Sequence, residues 1–226
     1  MNMGPKDQVN VGPKDQNIMG PREVIEMLET VGAIRKGHFE LSSGLHSDTY
    51  VQCALVLQFP TLAGQLGAAL AAEFAGLAIE AVVSPALGGV ILGHEVARAL
   101  GTARGPEGGI PQTGVPAIFV ERDGSGRMTL RRGFSLKPGA PVLVIEDVWT
   151  TGGSTFETIR VVEEAGGRVV AAGALIDRSQ GRLELPVQTE SLLQLDIKSY
   201  EPDSCPLCRA GGAAVKPGSR YVRAAS

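Results

Sequence analysis

The feature that most constrains this chain is its alternation of short, unbroken apolar runs with stretches of helical periodicity. Residues 81–84, 115–121, 141–146 and 169–176 read as strands, the third of them (PVLVIE) almost pure Val, Leu and Ile. Helices are expected over 61–77, 89–100 and 154–165. A strand without polar alternation is buried on both faces. The pattern therefore predicts an α/β fold with a mostly parallel, twisted sheet flanked by helices. Ahead of it, Pro21 opens a helix with Val24, Leu28 and Val31 on one face and Gly32 as its stop. Residues 50–57 read as one more strand. Ligands of such sheets bind outside the carboxyl ends of the strands, so chemistry is sought there.

The 226 residues suffice for one domain, residues 21–226, that needs no disulfide or metal staple. Residues 1–20 carry GPKDQ twice and bury nothing, so they read as a poorly ordered polar tail. With 21 Lys+Arg against 24 Asp+Glu the net charge is −3, which gives no field for a phosphodiester backbone; aromatics at 4% give no base-stacking platform. No nucleic-acid partner is expected. Residues 62–79 are the most apolar stretch, but Gln65 and Glu73 interrupt them, so a packed helix is expected and no membrane association. The amino terminus has no apolar leader, and a cytoplasmic location is expected.

The strongest chemical signal is VLVIEDVWTTGGST, residues 142–155. An apolar strand ends in two acids, Glu146 and Asp147. Val148 and Trp149 follow, then Thr150, Thr151, Gly152, Gly153 and Ser154 open a helix. Backbone N–H groups of the glycine turn and the positive end of the helix dipole suit a phosphate monoester. The carboxylates beside that turn can accept from sugar hydroxyls or hold Mg²⁺ through hard oxygen ligands. The alternative is a surface turn with two solvated acids. The pattern is neither a P-loop nor a dinucleotide fingerprint, because G-x-x-x-x-G-K-[ST] and G-x-G-x-x-G are both missing.

This segment resembles the 5-phosphoribosyl 1-diphosphate (PRPP) signature of the type I phosphoribosyltransferases, and the whole chain most resembles the orotate phosphoribosyltransferase family. The similarity spans about residues 21–220 in four pieces: FELSSGLHSDTYV, VVSPALGGVILG, the basic insertion followed by the signature, and ALIDRSQG. The resemblance implies a small hood built from the N-terminal segment and the C-terminal tail. It implies that Glu146 and Asp147 contact the ribose hydroxyls and, weakly, Mg²⁺, mostly through substrate and water. Residues Val148 and Trp149 border the PRPP site, and Thr150, Thr151, Gly152, Gly153 and Ser154 hold the 5′-phosphate. It also implies that Ala86, Leu87, Gly88 and Gly89 present backbone N–H groups to the diphosphate. Thr150 and Arg178 would meet orotate, Arg178 by a bidentate pair with its carboxylate. The implied reaction makes orotidine 5′-monophosphate and diphosphate in pyrimidine synthesis, in a homodimer whose lid is shared across the interface.

The basic, Gly-rich insertion at 122–134 is either a disordered hairpin or that lid. Many family members carry K-x-x-K-x-H there. This chain has ERDGSGRMTLRRGF, so Arg122, Arg127 or Arg131 must supply the charge on the departing diphosphate, with Asp147 the remaining catalytic candidate. Ser42 and Gly88 stand where members place lysines. These departures keep two other readings open: transfer to a purine or uracil, or a non-catalytic PRPP-sensing regulator. Cys205 and Cys208 (CPLC) have metal-like spacing without a second pair and read as a structural or incidental pair. Cys53 stands alone. His38, His46 and His94 read as turn or surface residues, and Trp149 as packing.

Overall fold

The computed structural model describes residues 19–41, 43–103 and 114–217. The tail at 1–18 and Ser42 lie outside these. The chain opens with α1 (Pro21–Thr30), then β1 (Ile34–Glu40), β2 (His46–Val51), α2 (Ala54–Leu57), α3 (Pro60–Ala72), β3 (Ala81–Pro85) and α4 (Gly88–Ala103). It continues with β4 (Ala117–Arg122), β5 (Met128–Leu130), β6 (Pro141–Trp149), α5 (Gly153–Glu164), β7 (Arg168–Asp177), β8 (Gln188–Gln194), β9 (Ser199–Tyr200) and α6 (Pro206–Arg209).

The main sheet has the order β5-β4-β3-β6-β7-β8. Strands β4, β3, β6, β7 and β8 run parallel, and β5 is an antiparallel edge. Strand β6 explains the unbroken apolar run. Leu143 and Ile145 face one core with α1, α3 and α4, through Leu28, Leu66, Leu70 and Leu92. Val142 and Val144 face the other, with Ile159 and Val162 of α5. All six of those helix side chains, and the four strand residues, are fully or almost fully buried. Both faces are apolar because both are covered.

The sequence order along the sheet fixes where a ligand sits. From β3 the chain moves outward to β4 on one side, and from β6 outward to β7 on the other. The crevice where these windings part lies at the carboxyl ends of β3 and β6. A second, three-stranded antiparallel sheet, β1-β2-β9, forms the small hood.

Three expectations need correction. Residues 50–57 are not one strand: β2 stops at Val51, and ALVL forms α2, burying Val56 and Leu57. A four-residue apolar run fits either state, and here burial against the main core decides. Strand β6 also runs past Glu146 to Trp149, because β7 reaches far enough to pair Ile176 with Val148 and Asp177 with Trp149. The insertion at 122–134 forms an ordered β4–β5 hairpin, turned by Asp123, whose carboxylate accepts from the backbone N–H groups of Ser125 and Arg127 at 2.9 and 3.1 Å.

Candidate active site

Four strand ends bring the candidate residues to one edge. Arg122 closes β4, residues 86–89 follow β3, the acid pair and residues 148–154 close β6, and Arg178 follows β7. An open cleft is lined by Glu146 and by residues 148–155.

The turn after β6 is fixed from both ends. Trp149 is buried, and its Nε1 donates to Thr155 Oγ1 at 2.9 Å, clasping the turn between them. Gly152 caps α5 with φ 76, and a Cβ there would come within 2.5 Å of Leu183 Cδ1. The left-handed φ calls for glycine, and the Leu183 methyl would have to move for any other residue. Thr150, Thr151, Gly153 and Ser154 remain exposed at the start of α5. Their backbone N–H groups and hydroxyls, with the helix dipole behind them, form an anion cradle.

Glu146 is buried and Asp147 half-buried. Glu146 Oε1 accepts from the Asp147 N–H at 3.3 Å, and Asp147 Oδ1 from the Val148 N–H at 2.9 Å. Neither carboxylate has an ion pair among the described residues. Burial, then the neighbouring Asp147, pushes the Glu146 carboxyl up to about 9. Burial also raises Asp147. Two adjacent carboxyls out of water cannot both stay ionised, so the pair holds a proton until cations or hydroxyl donors arrive.

Residues 86–89 pack directly on this pair. A Cβ on Gly88 would lie 2.5–2.7 Å from the Asp147 carboxylate, and one on Gly89 would lie 2.7 Å from the Ile145 carbonyl oxygen. The lysine that some relatives place at position 88 is thus replaced by a residue whose missing side chain brings backbone against the acid. Ala86 is half-buried and Leu87 projects into solvent.

Arg178 anchors its backbone N–H on the Trp149 carbonyl at 2.8 Å. It forms no ion pair among the described residues, and its buried Nε has no hydrogen-bond partner. Burial lowers its pKa. A partly buried guanidinium without a partner among the described residues suits an anion from outside the chain. Cys53, which the sequence left without context, packs below the pair with Sγ 3.9 Å from the Asp147 carbonyl oxygen; burial, then Asp147, raises its thiol pKa.

The lid arginines stand apart from this centre. Arg122 pairs with Glu157 of α5 and with the Gly126 carbonyl, both at 2.7 Å. Arg127 meets Asp123 at 3.6 Å, and Arg131 meets Glu121 at 3.8 Å beside the closer Arg132 at 2.9 Å. All three arginines are paired within the described chain, Arg122 to α5 and the other two inside the hairpin.

A twisted parallel sheet with an acid pair and a hydroxyl-rich turn at its switch point defines a phosphoribosyl-transferring class of enzyme. Comparison agrees: the phosphoribosyl transferase domain family matches residues 63–198, and the chain belongs to it. It is 50% identical over 200 residues to the orotate phosphoribosyltransferase of Pelotomaculum thermopropionicum, covering 88% of this chain and 98% of the relative. It is 48% identical over 200 residues to that of Desulforamulus reducens, covering 88% and 97%. These likenesses place it within the orotate phosphoribosyltransferase branch of that family. The crystal structure of the Mycobacterium tuberculosis H37Rv orotate phosphoribosyltransferase superposes with a TM-score of 0.60 at 23% identity, over 76% of this chain and 96% of the other, and speaks for the fold.

Proposed function

We propose that this chain transfers the 5-phosphoribosyl group from PRPP to orotate, releasing diphosphate and giving orotidine 5′-monophosphate for pyrimidine synthesis. The observation that carries the choice of base is Arg178. Its unpaired, partly desolvated guanidinium stands at the strand end next to the acid pair, where a carboxylate-bearing base would lie beside the ribose. Purines and uracil carry no such group. Residues 150–154 hold the 5′-phosphate, and residues 86–89 offer backbone N–H groups to the diphosphate. Glu146 and Asp147 accept from the ribose hydroxyls.

The donor set also fits Mg²⁺: two adjacent carboxylates without an ion pair among the described residues, and a raised affinity for protons that a divalent ion displaces. Bound with PRPP, the ion supplies charge neutralisation to the diphosphate. The protein's part is positioning and drying. Trp149 and Thr155 hold the phosphate turn, Gly88 lets backbone meet the diphosphate, and Arg178 orients the base. The reaction leaves negative charge on diphosphate, so a cation delivered by the β4–β5 hairpin completes the site. The enzyme works in the cytoplasm as a homodimer, with the hairpin reaching the partner's site.

A panel of orotate, uracil, adenine and hypoxanthine, assayed with PRPP and Mg²⁺ by diphosphate release, tests this. Turnover with orotate alone is expected; release with a purine, or PRPP binding without turnover of any base, overturns it. The hairpin has a separate test. Exposed ion pairs are worth only about 0–1 kcal/mol, so the pairs of Arg122, Arg127 and Arg131 exchange readily for a diphosphate. Replaced singly by Ala, at least one should lower single-turnover rate tenfold or more, about 1.4 kcal/mol, while PRPP affinity changes less than threefold. Arg127, exposed and weakly paired, is expected to show the largest loss.

A further inference from the structure

The hood holds a cluster outside the cleft. His38 of β1, His46 of β2, and Cys205 and Cys208 around α6 place one ligand atom each within 4.8 Å of all the others. His38 Nε2 lies 3.0 Å from His46 Nδ1, 3.6 Å from Cys205 Sγ and 3.7 Å from Cys208 Sγ; His46 Nδ1 lies 3.3 Å from Cys208 Sγ. A tetrahedral zinc ion, with Zn–S ~2.3 Å and Zn–N ~2.0–2.1 Å, sets its ligand atoms about 3.3–3.8 Å apart. The four separations given lie at or near those values, and all six are within 4.8 Å. We propose that His38, His46, Cys205 and Cys208 form a structural Zn²⁺ site that fastens the C-terminal segment to the hood.

Three further observations support the assignment. His38 Nδ1 lies 2.9 Å from the Gly212 carbonyl oxygen, an acceptor that makes Nδ1 the protonated nitrogen and turns the Nε2 lone pair inward. A bulge in β1 between Lys36 and Phe39 shifts the pairing with β2 at His38, so the ring reaches His46. The hood has little else to hold it: β9 has two residues, and few hood side chains are buried apolar groups, Phe39 among them. The C-terminal segment joins it by the Phe39–Val215 bridge, in which the Glu40 N–H donates to the Val215 carbonyl and the Val215 N–H donates to the His38 carbonyl, and by the exposed Lys216–Glu40 pair. Small units with so thin a core draw folding energy from a bound metal. Thiolate and imidazole together select zinc over magnesium. Four protein ligands leave no open position, so the ion serves structure rather than catalysis. Cys205 is buried and Cys208 exposed, which gives the ion an entry path.

The test uses the full chain, purified without chelator, and does not depend on the proposed reaction. Elemental analysis should find about one zinc per chain, and X-ray absorption two sulfur neighbours at ~2.3 Å and two nitrogens at ~2.0 Å. Chain stripped of zinc and refilled with Co²⁺ should show the intense visible bands of a tetrahedral site with a thiolate charge-transfer band. Stripping should lower the melting temperature by about 10 °C, as expected for a ligand worth a few kcal/mol. Cys205→Ser with Cys208→Ser should lose the metal. Less than about a tenth of an ion per chain after equilibration with zinc, a weak octahedral Co²⁺ spectrum, or a Cys205–Cys208 disulfide in fully reduced buffer would each overturn the site. The spectra come from the native chain, so a variant that fails to fold leaves the question decided.

Discussion

Arg178→Ala is expected to lower kcat/KM for orotate by about 100- to 1,000-fold, the loss that follows when a partly buried charge-assisted pair is removed. The Kd for PRPP, whose 5′-phosphate we assign to residues 150–154, should change less than threefold. The split follows from geometry. Arg178 hydrogen-bonds the β6 strand end through its backbone N–H on Trp149, which an alanine keeps. Its side chain is committed to no partner in the described protein, so the mutation removes a ligand contact and no ion pair. Arg178→Lys should recover little, because a point charge cannot reproduce the planar fork. Removing a half-buried guanidinium with an unsatisfied Nε should leave the melting temperature unchanged or raise it slightly. Isothermal titration with PRPP, steady-state kinetics with orotate and a thermal scan check the three parts. An orotate kcat/KM within threefold of the native value would remove Arg178 from base recognition.

How far the sequence carries a reader depends on whether the physics is local. Strand β6 and the turn after it were legible because both faces of the strand are buried and the anion cradle is contiguous in the chain. The core helices were legible from their apolar faces. The hood was not. Strand β1 reads IRKGHFE, polar and bulged, and β8 reads QTESLLQ, a polar edge; neither shows the unbroken apolar run that marked the central strands. The hood's strands show only when folded, because β2 pairs with a two-residue strand about 150 positions later. The same distance hid the histidine–cysteine cluster. CPLC shows half of a ligand set, and the other half lies some 160 residues upstream in residues that read as turns. Cys53 gained meaning only when the fold set it under Asp147. The base-reading role proposed for Arg178 came from resemblance; the structure adds that its buried Nε has no partner among the described residues.

The acid pair carries the second large effect. Asp147→Asn is expected to reduce turnover by about 1,000-fold, since on the proposed assignment it removes a carboxylate that accepts from the ribose and favours Mg²⁺ at the same point. Glu146→Gln should also impair PRPP binding, yet stabilise the fold. The sign follows from proton counting. The Glu146 carboxyl is raised to about 9, so the folded chain keeps a proton that the unfolded chain loses near pH 4.5. The native state then binds more protons than the unfolded state across that window, and stability falls as pH rises from about 5 to 9. Glutamine stays neutral throughout, so its advantage should grow with pH, to on the order of a few kcal/mol near pH 8, read as a higher melting temperature. The same proton must leave when Mg²⁺ and PRPP bind. Above about pH 7, where phosphate monoesters are fully ionised, native PRPP affinity should still rise with pH, and titration in buffers of different ionisation enthalpy should register proton release that Glu146→Gln reduces. A pH-independent affinity, or a variant less stable than the native chain at pH 8, would mean that the pair is already ionised in the empty site. In that case burial could not be what prepares these carboxylates for a divalent ion and a sugar diphosphate.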